Sequence, residues 1–200
     1  MTWIKTVSYE QAEGKLKRIL KRVVAPDGTV DNIMLAHGLR PGSLEGHMAI
    51  YKNVLHHSGC TLPKWFREAL GVYVSLLNRC AYCVEHHYKG MRRLMKDDPK
   101  AEAIRAALEK EAPEDFFEGA QLALMQYAYD LTRQPHEINE DQIKRLRSMG
   151  LDDGEILEAN QIIAYFAYAN RTVLGLGVNT DGDTLGLSPS DGDSENWEHR

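Results

Sequence analysis

Helical periodicity is the feature of this sequence that most restricts its fold. Nearly every segment repeats its apolar residues at intervals of three and four, and nowhere do five or more residues alternate between apolar and polar as in a half-buried strand. The 200 residues are 43% apolar, which suffices for one domain with a substantial core. We therefore predict an all-α fold, a compact bundle of about eight or nine helices.

The predicted helices begin and end at recognisable residues. Ser8 is the expected N-cap of the first helix, Thr61 is that of a later one, and Asp98 is placed to cap another. Helices are predicted from Ser8 to residue 24, from residue 31 to before Pro41, over 43–57, over 62–78, from Cys80, from Asp98, over 113–134, over 139–150 and over 152–175. The last is apolar on nearly all sides at its centre, so we predict that it is the central, most buried helix.

The chain divides into one helical domain and a polar tail. We predict the domain over residues 1–178, with its chemically informative part at about 45–95. Residues 179–200 hold six acidic residues against one arginine, together with Gly, Ser and Pro, and show no period. The tail is predicted to be a loop, either solvated or laid as an arm on a neighbouring subunit with Trp197 as its anchor.

Charge and hydropathy exclude several classes of partner. The net charge is -5, and no cluster of Lys or Arg is interleaved with aromatic residues, so nucleic acid is not an expected partner. No export signal is recognisable at the N-terminus, and no apolar run approaches the roughly 18 residues that a membrane span needs. We expect a cytoplasmic protein that does not bind membranes.

The segment RCAYCVEHH, residues 79–87, holds two of the three cysteines of the chain. On a helix, with about 100° per residue, Cys80, Cys83 and His87 fall within about 60° of one another, whereas His86 lies about 120° from Cys80. Both cysteines lie in the first turn, where free N–H groups and the helix dipole lower a thiol pKa. A CxxC pair in such a position suits reversible oxidation.

Other interpretations of the cysteine pair remain open. A structural zinc site usually has four ligands in two separated pairs, and here His86 and His87 are the nearest further ligands, on the same helix. The two cysteines also suit simple core packing, because free cysteine is often buried. A c-type haem site is excluded, since Val84 rather than His follows the second cysteine. Cys60, outside the pair, is expected to be a bystander.

Glu68 is the third element of the candidate site. It lies twelve positions before Cys80, on the preceding predicted helix, among mostly apolar neighbours. A carboxyl group in an apolar setting has a raised pKa and serves as a general base near neutral pH. We therefore expect the pKa of Glu68 to be raised.

Glu68, Cys80, Cys83 and His87 together reproduce the pattern E-x11-C-x2-C-x3-H. The chain thereby resembles the alkylhydroperoxidase D-like, carboxymuconolactone decarboxylase superfamily, and most of all its peroxidase-related branch, to which LNRCAYCVEHH and RTVLGLGV are also similar. This resemblance implies an all-helical, oligomeric fold and a thiol peroxidase. It implies that Cys83 attacks the peroxide and becomes a sulfenic acid, that Cys80 closes a Cys80–Cys83 disulfide, and that Glu68 and His87 relay protons.

The resemblance also implies the partners of the reaction. A hydroperoxide is the expected substrate, and a dithiol, thioredoxin-like or lipoyl-type reductant resets the pair, with no metal or organic cofactor. One position departs from the pattern: peroxidases of the family tend to carry a histidine just before the second cysteine, where this chain has Tyr82. Tyr82 and His86 are candidate auxiliary residues.

Two alternative functions follow from the same residues. The first is a non-catalytic helical protein whose cysteine cluster binds a metal or senses oxidants. The second is an enzyme of the same fold that uses Glu68 and His87 for acid–base chemistry without the thiols.

Overall fold

The computed structural model describes residues 2–187, and in this part of the chain the regular structure is entirely helical. Its nine α-helices are α1 (Gly14–Leu20), α2 (Asn32–Ala36), α3 (Pro41–Tyr51), α4 (Lys64–Leu77), α5 (Ala81–Met95), α6 (Asp98–Glu109), α7 (Gly119–Arg133), α8 (Glu140–Ser148) and α9 (Asp153–Leu176). A π-helical turn, Lys52–His56, continues α3, and 3-10 turns lie at Pro113–Asp115 and Pro135–Glu137. The all-α prediction is confirmed. Trp197, the predicted anchor of the tail, lies outside the described residues.

No helix within residues 2–187 combines the length and the apolar character that crossing a bilayer would need.

The central helix of the bundle is α4, not α9. Eleven of the fourteen residues of α4 are buried, and it packs against α5, α6, α7 and α9. The prediction that the last helix is the most buried was wrong, because α9 leaves the apolar side chains of Leu157, Tyr168 and Leu174 exposed. An apolar composition around the whole helix therefore does not mean burial on every side here.

A glycine allows α9 to approach α4 closely. A Cβ atom at Gly71 of α4 would lie 2.2 Å from the ring of Phe166 of α9, a distance that no real side chain tolerates. Phe166 is fully buried in this notch, and its ring meets the imidazole of His87 edge-on at 4.5 Å between centroids. The contact fixes one wall of the region around His87.

Two predicted helices begin later than the sequence indicated. The first helix begins at Gly14 rather than at Ser8, and the seventh begins at Gly119 rather than near Pro113. Both glycines have a φ of 53°, in the left-handed region, so a right-handed helix does not run through them. The segments before them fold as turns instead.

A tight turn joins α4 to α5 and sets the register of the site. Arg79 adopts a φ of 59°, and Cys80 is the N-cap residue of α5, close to the predicted start. The two helices pack side by side along most of their length. Residues about ten positions before the turn therefore face residues about ten positions after it.

The chain after α9 folds back over the bundle as far as Leu187. The side chain of Asn32 donates hydrogen bonds to the carbonyl oxygens of Asn179 and Asp181, at 2.9 and 3.0 Å. The guanidinium of Arg93 donates to the carbonyl of Gly186. The first nine residues of the predicted tail are thus non-helical and packed on their own chain, across the start of α2 and α5.

Candidate active site

Glu68 and His87 form a buried pair between α4 and α5. His87 Nδ1 lies 2.7 Å from Glu68 Oε2, and the side chains are 16% and 4% exposed. The π-helical turn adds a second imidazole, because it places His56 Nε2 3.8 Å from Glu68 Oε1. Gly90, one turn beyond His87, also lies against this carboxylate, whose Cδ atom is 3.6 Å from the position of a Cβ atom there, an ordinary van der Waals distance.

The pKa of Glu68 is lowered, and the expectation of a raised pKa was wrong. Desolvation by burial alone would raise this pKa, but the charge and hydrogen bond of His87 outweigh it, with help from His56 and Arg67. Glu68 is therefore a carboxylate at neutral pH. Its place is to accept the hydrogen bond of His87 and to orient the imidazole, with Nε2 as the nitrogen left for proton transfer.

The two thiols of the CxxC pair contact each other but differ in burial and surroundings. Cys80 is fully buried, whereas Cys83, 3% exposed, borders a cavity. Neither is in a disulfide. The side chain of Asn170, on α9, lies against both sulfur atoms. Relative to this cavity Cys83 is the outer thiol and Cys80 the inner one, and Cys80 lines a separate pocket with Arg79 and Val173.

The pKa values of the two thiols move in opposite directions. The hydrogen bond from the Cys83 thiol lowers the pKa of Cys80, and the Cys83 backbone N–H at the helix start acts in the same sense. Desolvation raises the pKa of Cys83 well above its ordinary value, and the neighbouring Cys80 adds to this. The expected lowering thus holds for Cys80 and not for Cys83, because a buried pair of sulfur atoms accommodates only one negative charge.

A partly enclosed cavity brings these groups to one place. The centres of water-sized molecules can occupy about 40 Å³ of it, which is room for about three waters. Its lining includes Cys83, Glu68, His87, Asp31, His86 and Leu187. We call Cys83, Glu68 and His87 the thiol wall of this cavity.

Asp31, His86 and Asp183 form a second polar group, which we call the acid wall. One ligand atom from each of the three residues lies within 4.8 Å of the others, and His86 Nε2 is 3.2 Å from Asp183 Oδ2. Desolvation, together with the charge of Asp183, raises the pKa of Asp31 to about 6 against the opposing effect of His86 and His87. His86 is one of the predicted auxiliary residues, whereas neither carboxylate was predicted from the sequence.

Tyr82 contacts and supports the acid wall, and it is not part of the thiol wall. Its hydroxyl donates to Asp183 Oδ2 at 2.7 Å and accepts the backbone N–H of Ile33 at 3.2 Å. Its ring lies against that of His86, with 4.4 Å between centroids. Tyr82 therefore ties the C-terminal segment to the start of α2.

Comparison with known sequences identifies no relative: no family model matches the chain, and no curated protein does. Solved structures do match. An alkylhydroperoxidase AhpD core, an uncharacterized peroxidase-related protein from Ralstonia eutropha JMP134, is 23% identical with a TM-score of 0.76, over 89% of this chain and 91% of that chain. An uncharacterized peroxidase-related protein from Silicibacter sp. TM1040 is 24% identical with a TM-score of 0.72, over the same shares of the two chains, 89% and 91%.

A third structure with this fold is a named enzyme. A cysteine-to-alanine variant of the debrominase Bmp8, in complex with 2,3,4-tribromopyrrole, is 17% identical with a TM-score of 0.66, over 90% of this chain and 93% of that chain. The shared arrangement of helices confirms the resemblance that the motif predicted: the chain has the alkylhydroperoxidase D-like fold of the carboxymuconolactone decarboxylase type.

Proposed function

We propose that this protein is an enzyme, a thiol-dependent peroxidase or dithiol oxidoreductase that reduces small hydroperoxides through Cys80 and Cys83. The observation that supports it most is the layering of the two thiols. Cys83 borders the cavity that Glu68 and His87 also border, and Cys80 lies buried in contact behind it. A thiol that borders the cavity, with a second thiol in contact to capture the sulfenic acid, suits reversible oxidation.

In the first step Cys83 attacks the hydroperoxide. His87, four residues along the same helix, is a neighbour of Cys83 on the helix face, and its Nε2 takes the thiol proton. The raised pKa of Cys83 makes this base necessary. An S–O bond forms, the O–O bond breaks, and the alkoxide that leaves receives the proton from His87, so that an alcohol and a Cys83 sulfenic acid result.

In the second step Cys80 captures the sulfenic acid. The Cys83 backbone N–H at the helix start favours the Cys80 thiolate, which attacks the oxidised sulfur of Cys83. The S–S bond forms, and the hydroxyl group leaves with a proton as water. An external dithiol of the thioredoxin-like or lipoyl type then reduces the disulfide by exchange and is itself oxidised. The cycle draws its two electrons from that dithiol and involves no metal or organic cofactor.

The size of the cavity favours hydrogen peroxide and short alkyl hydroperoxides. The cavity has space for about three waters, whereas the compound bound by Bmp8 is a ring with three bromine atoms. Reductive debromination by the same thiols is the alternative that the shared fold of Bmp8 raises. A brominated pyrrole belongs in the assay as a comparison substrate.

The test is turnover of hydrogen peroxide, of a short alkyl hydroperoxide and of a bulky one, with dithiothreitol as donor, in variants that remove one thiol at a time. We expect Cys83→Ser to abolish turnover, Cys80→Ser to slow it because only the external dithiol can then reduce the Cys83 sulfenic acid, and Cys60→Ser, the matched control, to retain it. Hydroperoxide turnover that survives removal of both Cys80 and Cys83 would contradict the proposal and favour acid–base chemistry by Glu68 and His87.

A further inference from the structure

The acid wall carries more negative charge than its surroundings balance. Asp31 does not cap α2, since its carboxylate accepts no hydrogen bond from the helix start, and within residues 2–187 only the charges of His86 and His87 favour its ionised form. No Lys or Arg from the described part of the chain lines the cavity. His86 supplies at most one positive charge against the carboxylates of Asp31 and Asp183. Two carboxylates held this close in a desolvated site require a cation or a shared proton.

The three side chains offer the ligand atoms that a metal ion needs. Carboxylate oxygen and imidazole nitrogen bind divalent metals at about 2.0–2.2 Å, so ligand atoms on one ion lie about 3–4 Å apart. His86 Nε2 and Asp183 Oδ2 are 3.2 Å apart, and all three ligand atoms lie within 4.8 Å of one another. Closure of the widest pair by up to about 1 Å brings the three atoms into the range of coordination.

Asp183 also has the outer hydrogen bonds that orient a ligating carboxylate. The backbone N–H of Asn32 donates to its two oxygens at 3.0 and 3.1 Å, and the Tyr82 hydroxyl donates to Oδ2 at 2.7 Å. Donors of this kind hold metal ligands in place and affect affinity. Asp31, by contrast, makes no capping hydrogen bond, and no described hydrogen bond within residues 2–187 engages its carboxylate.

We propose that Asp31, His86 and Asp183 bind one divalent transition-metal ion, of the class of Mn²⁺, Fe²⁺ and Zn²⁺, at the acid wall of the cavity. A mixed nitrogen and oxygen ligand set favours this class over soft, sulfur-seeking ions. Three protein ligands leave further coordination positions for water or for an oxygen of a bound molecule. Because Asp31 and His86 line the cavity, these positions face the space that Cys83 also borders. The ion binds whether or not the thiols react with peroxides.

The test is a titration of the chelator-treated, full-length protein with Co²⁺ as a spectroscopic probe, followed by equilibrium dialysis against Zn²⁺ and against Mn²⁺ with elemental analysis. We expect one ion per chain and visible Co²⁺ bands without the ultraviolet band of a thiolate ligand. Asp31→Asn and His86→Gln should weaken binding by at least about 100-fold. Tyr82→Phe, which removes the hydroxyl that donates to Asp183 and accepts from the backbone N–H of Ile33, should weaken it by about 10-fold.

The matched control is Asp181→Asn, which removes an exposed carboxylate two residues from Asp183 on the same segment. It should bind Co²⁺ as the parent does, and so should a protein with Ser at both Cys80 and Cys83. Parent protein that binds Co²⁺ no better than Asp31→Asn would overturn the proposal. Binding that shows a thiolate band and is lost with the two cysteines would overturn it as well, and would locate the metal at the thiols.

Discussion

The two walls of the cavity deal with buried charge in opposite ways. On the thiol wall, the carboxylate of Glu68 has two imidazoles and the Arg67 guanidinium to balance it, and its pKa is lowered. On the acid wall, Asp31 faces a second carboxylate, and its pKa is raised to about 6. On the thiol wall neighbouring groups balance the charge of Glu68. On the acid wall the charges of Asp31 and Asp183 are balanced only when a proton or a cation is bound. Removing a charge should therefore destabilise the first wall and stabilise the second.

The largest expected effect is loss of activity when the outer thiol is removed. Cys83→Ser should lower the rate of hydroperoxide reduction at least about 1000-fold, because no other group then accepts the peroxide oxygen. Cys80→Ser should still consume one equivalent of peroxide, since Cys83 is intact, but should stop as a sulfenic acid that a sulfenic-acid-specific reagent traps. Equal single-turnover rates for Cys83→Ser and the parent would show that Cys83 is not the nucleophile.

Glu68→Gln should lower both activity and stability. The orientation of His87 is lost, which should slow turnover by about 100-fold, and breaking the buried pair should lower the free energy of unfolding by about 3 kcal/mol at pH 7. Because the folded pKa of Glu68 is below its unfolded value of about 4.3, this contribution is complete above that pH and is lost as the pH falls through the folded pKa. Urea unfolding of the parent and of Glu68→Gln at pH 7 and at pH 3.5 measures this loss. The difference between their free energies of unfolding should be smaller at pH 3.5.

The control for Glu68→Gln is Glu85→Gln, on the same face of the bundle as Arg105. Glu85 and Arg105 are paired at 2.7 Å but are 43% and 27% exposed. A pair that is screened by solvent contributes at most about 1 kcal/mol. If Glu85→Gln lowered the free energy of unfolding as much as Glu68→Gln does, burial would not distinguish the two carboxylates.

His47, which lines the cavity outside both walls, should make the protein sensitive to mild acid. Desolvation, with the charges of His37 and His87, lowers its pKa to about 3. The stability that this group contributes is complete above its unfolded pKa of about 6.5 and is lost as the pH falls, by about 2 kcal/mol between pH 7 and pH 5. His47→Phe should remove that part of the pH dependence in urea unfolding. The control His136→Phe, at an exposed position, should leave the pH dependence of the free energy of unfolding unchanged.

The smallest expected effect is a gain in stability, opposite in sign to the loss expected for Glu68→Gln. Asp31→Asn removes an uncompensated carboxylate and should raise the free energy of unfolding of the metal-free protein by about 1 kcal/mol at pH 7. Thermal unfolding with a chelator present measures it. A loss of stability from Asp31→Asn, comparable to that from Glu68→Gln, would erase the contrast between the walls.

The thiol wall could be predicted from the sequence because its residues lie on two consecutive helices. Glu68 and His87 lie at similar distances from the tight turn at Arg79, so a fixed spacing along the chain becomes proximity in space. The directions of the pKa shifts could not be predicted in this way. The pKa of Glu68 depends on His56, which a π-helical turn brings near, and that of Cys83 depends on how deeply α9 covers the thiols.

The acid wall escaped the sequence analysis for a physical reason. Asp31 precedes a helix of five residues, and Asp183 lies in a segment without periodicity, about 150 positions away along the chain. No repeat or spacing joins such residues, and only tertiary packing brings them to His86. The fold class was predictable from periodicity alone, whereas the starts of α1 and α7 depended on the left-handed backbone of Gly14 and Gly119.

The most direct test of the central claim is a single-turnover reaction of the reduced protein with one equivalent of hydrogen peroxide, followed by alkylation of the remaining thiols and peptide mass spectrometry. The account predicts that two thiols per chain disappear, that Cys80 and Cys83 are found joined in one disulfide-linked peptide, and that Cys60 is alkylated. Reduced Cys80 and Cys83 after the peroxide has been consumed, or a disulfide that includes Cys60, would contradict it.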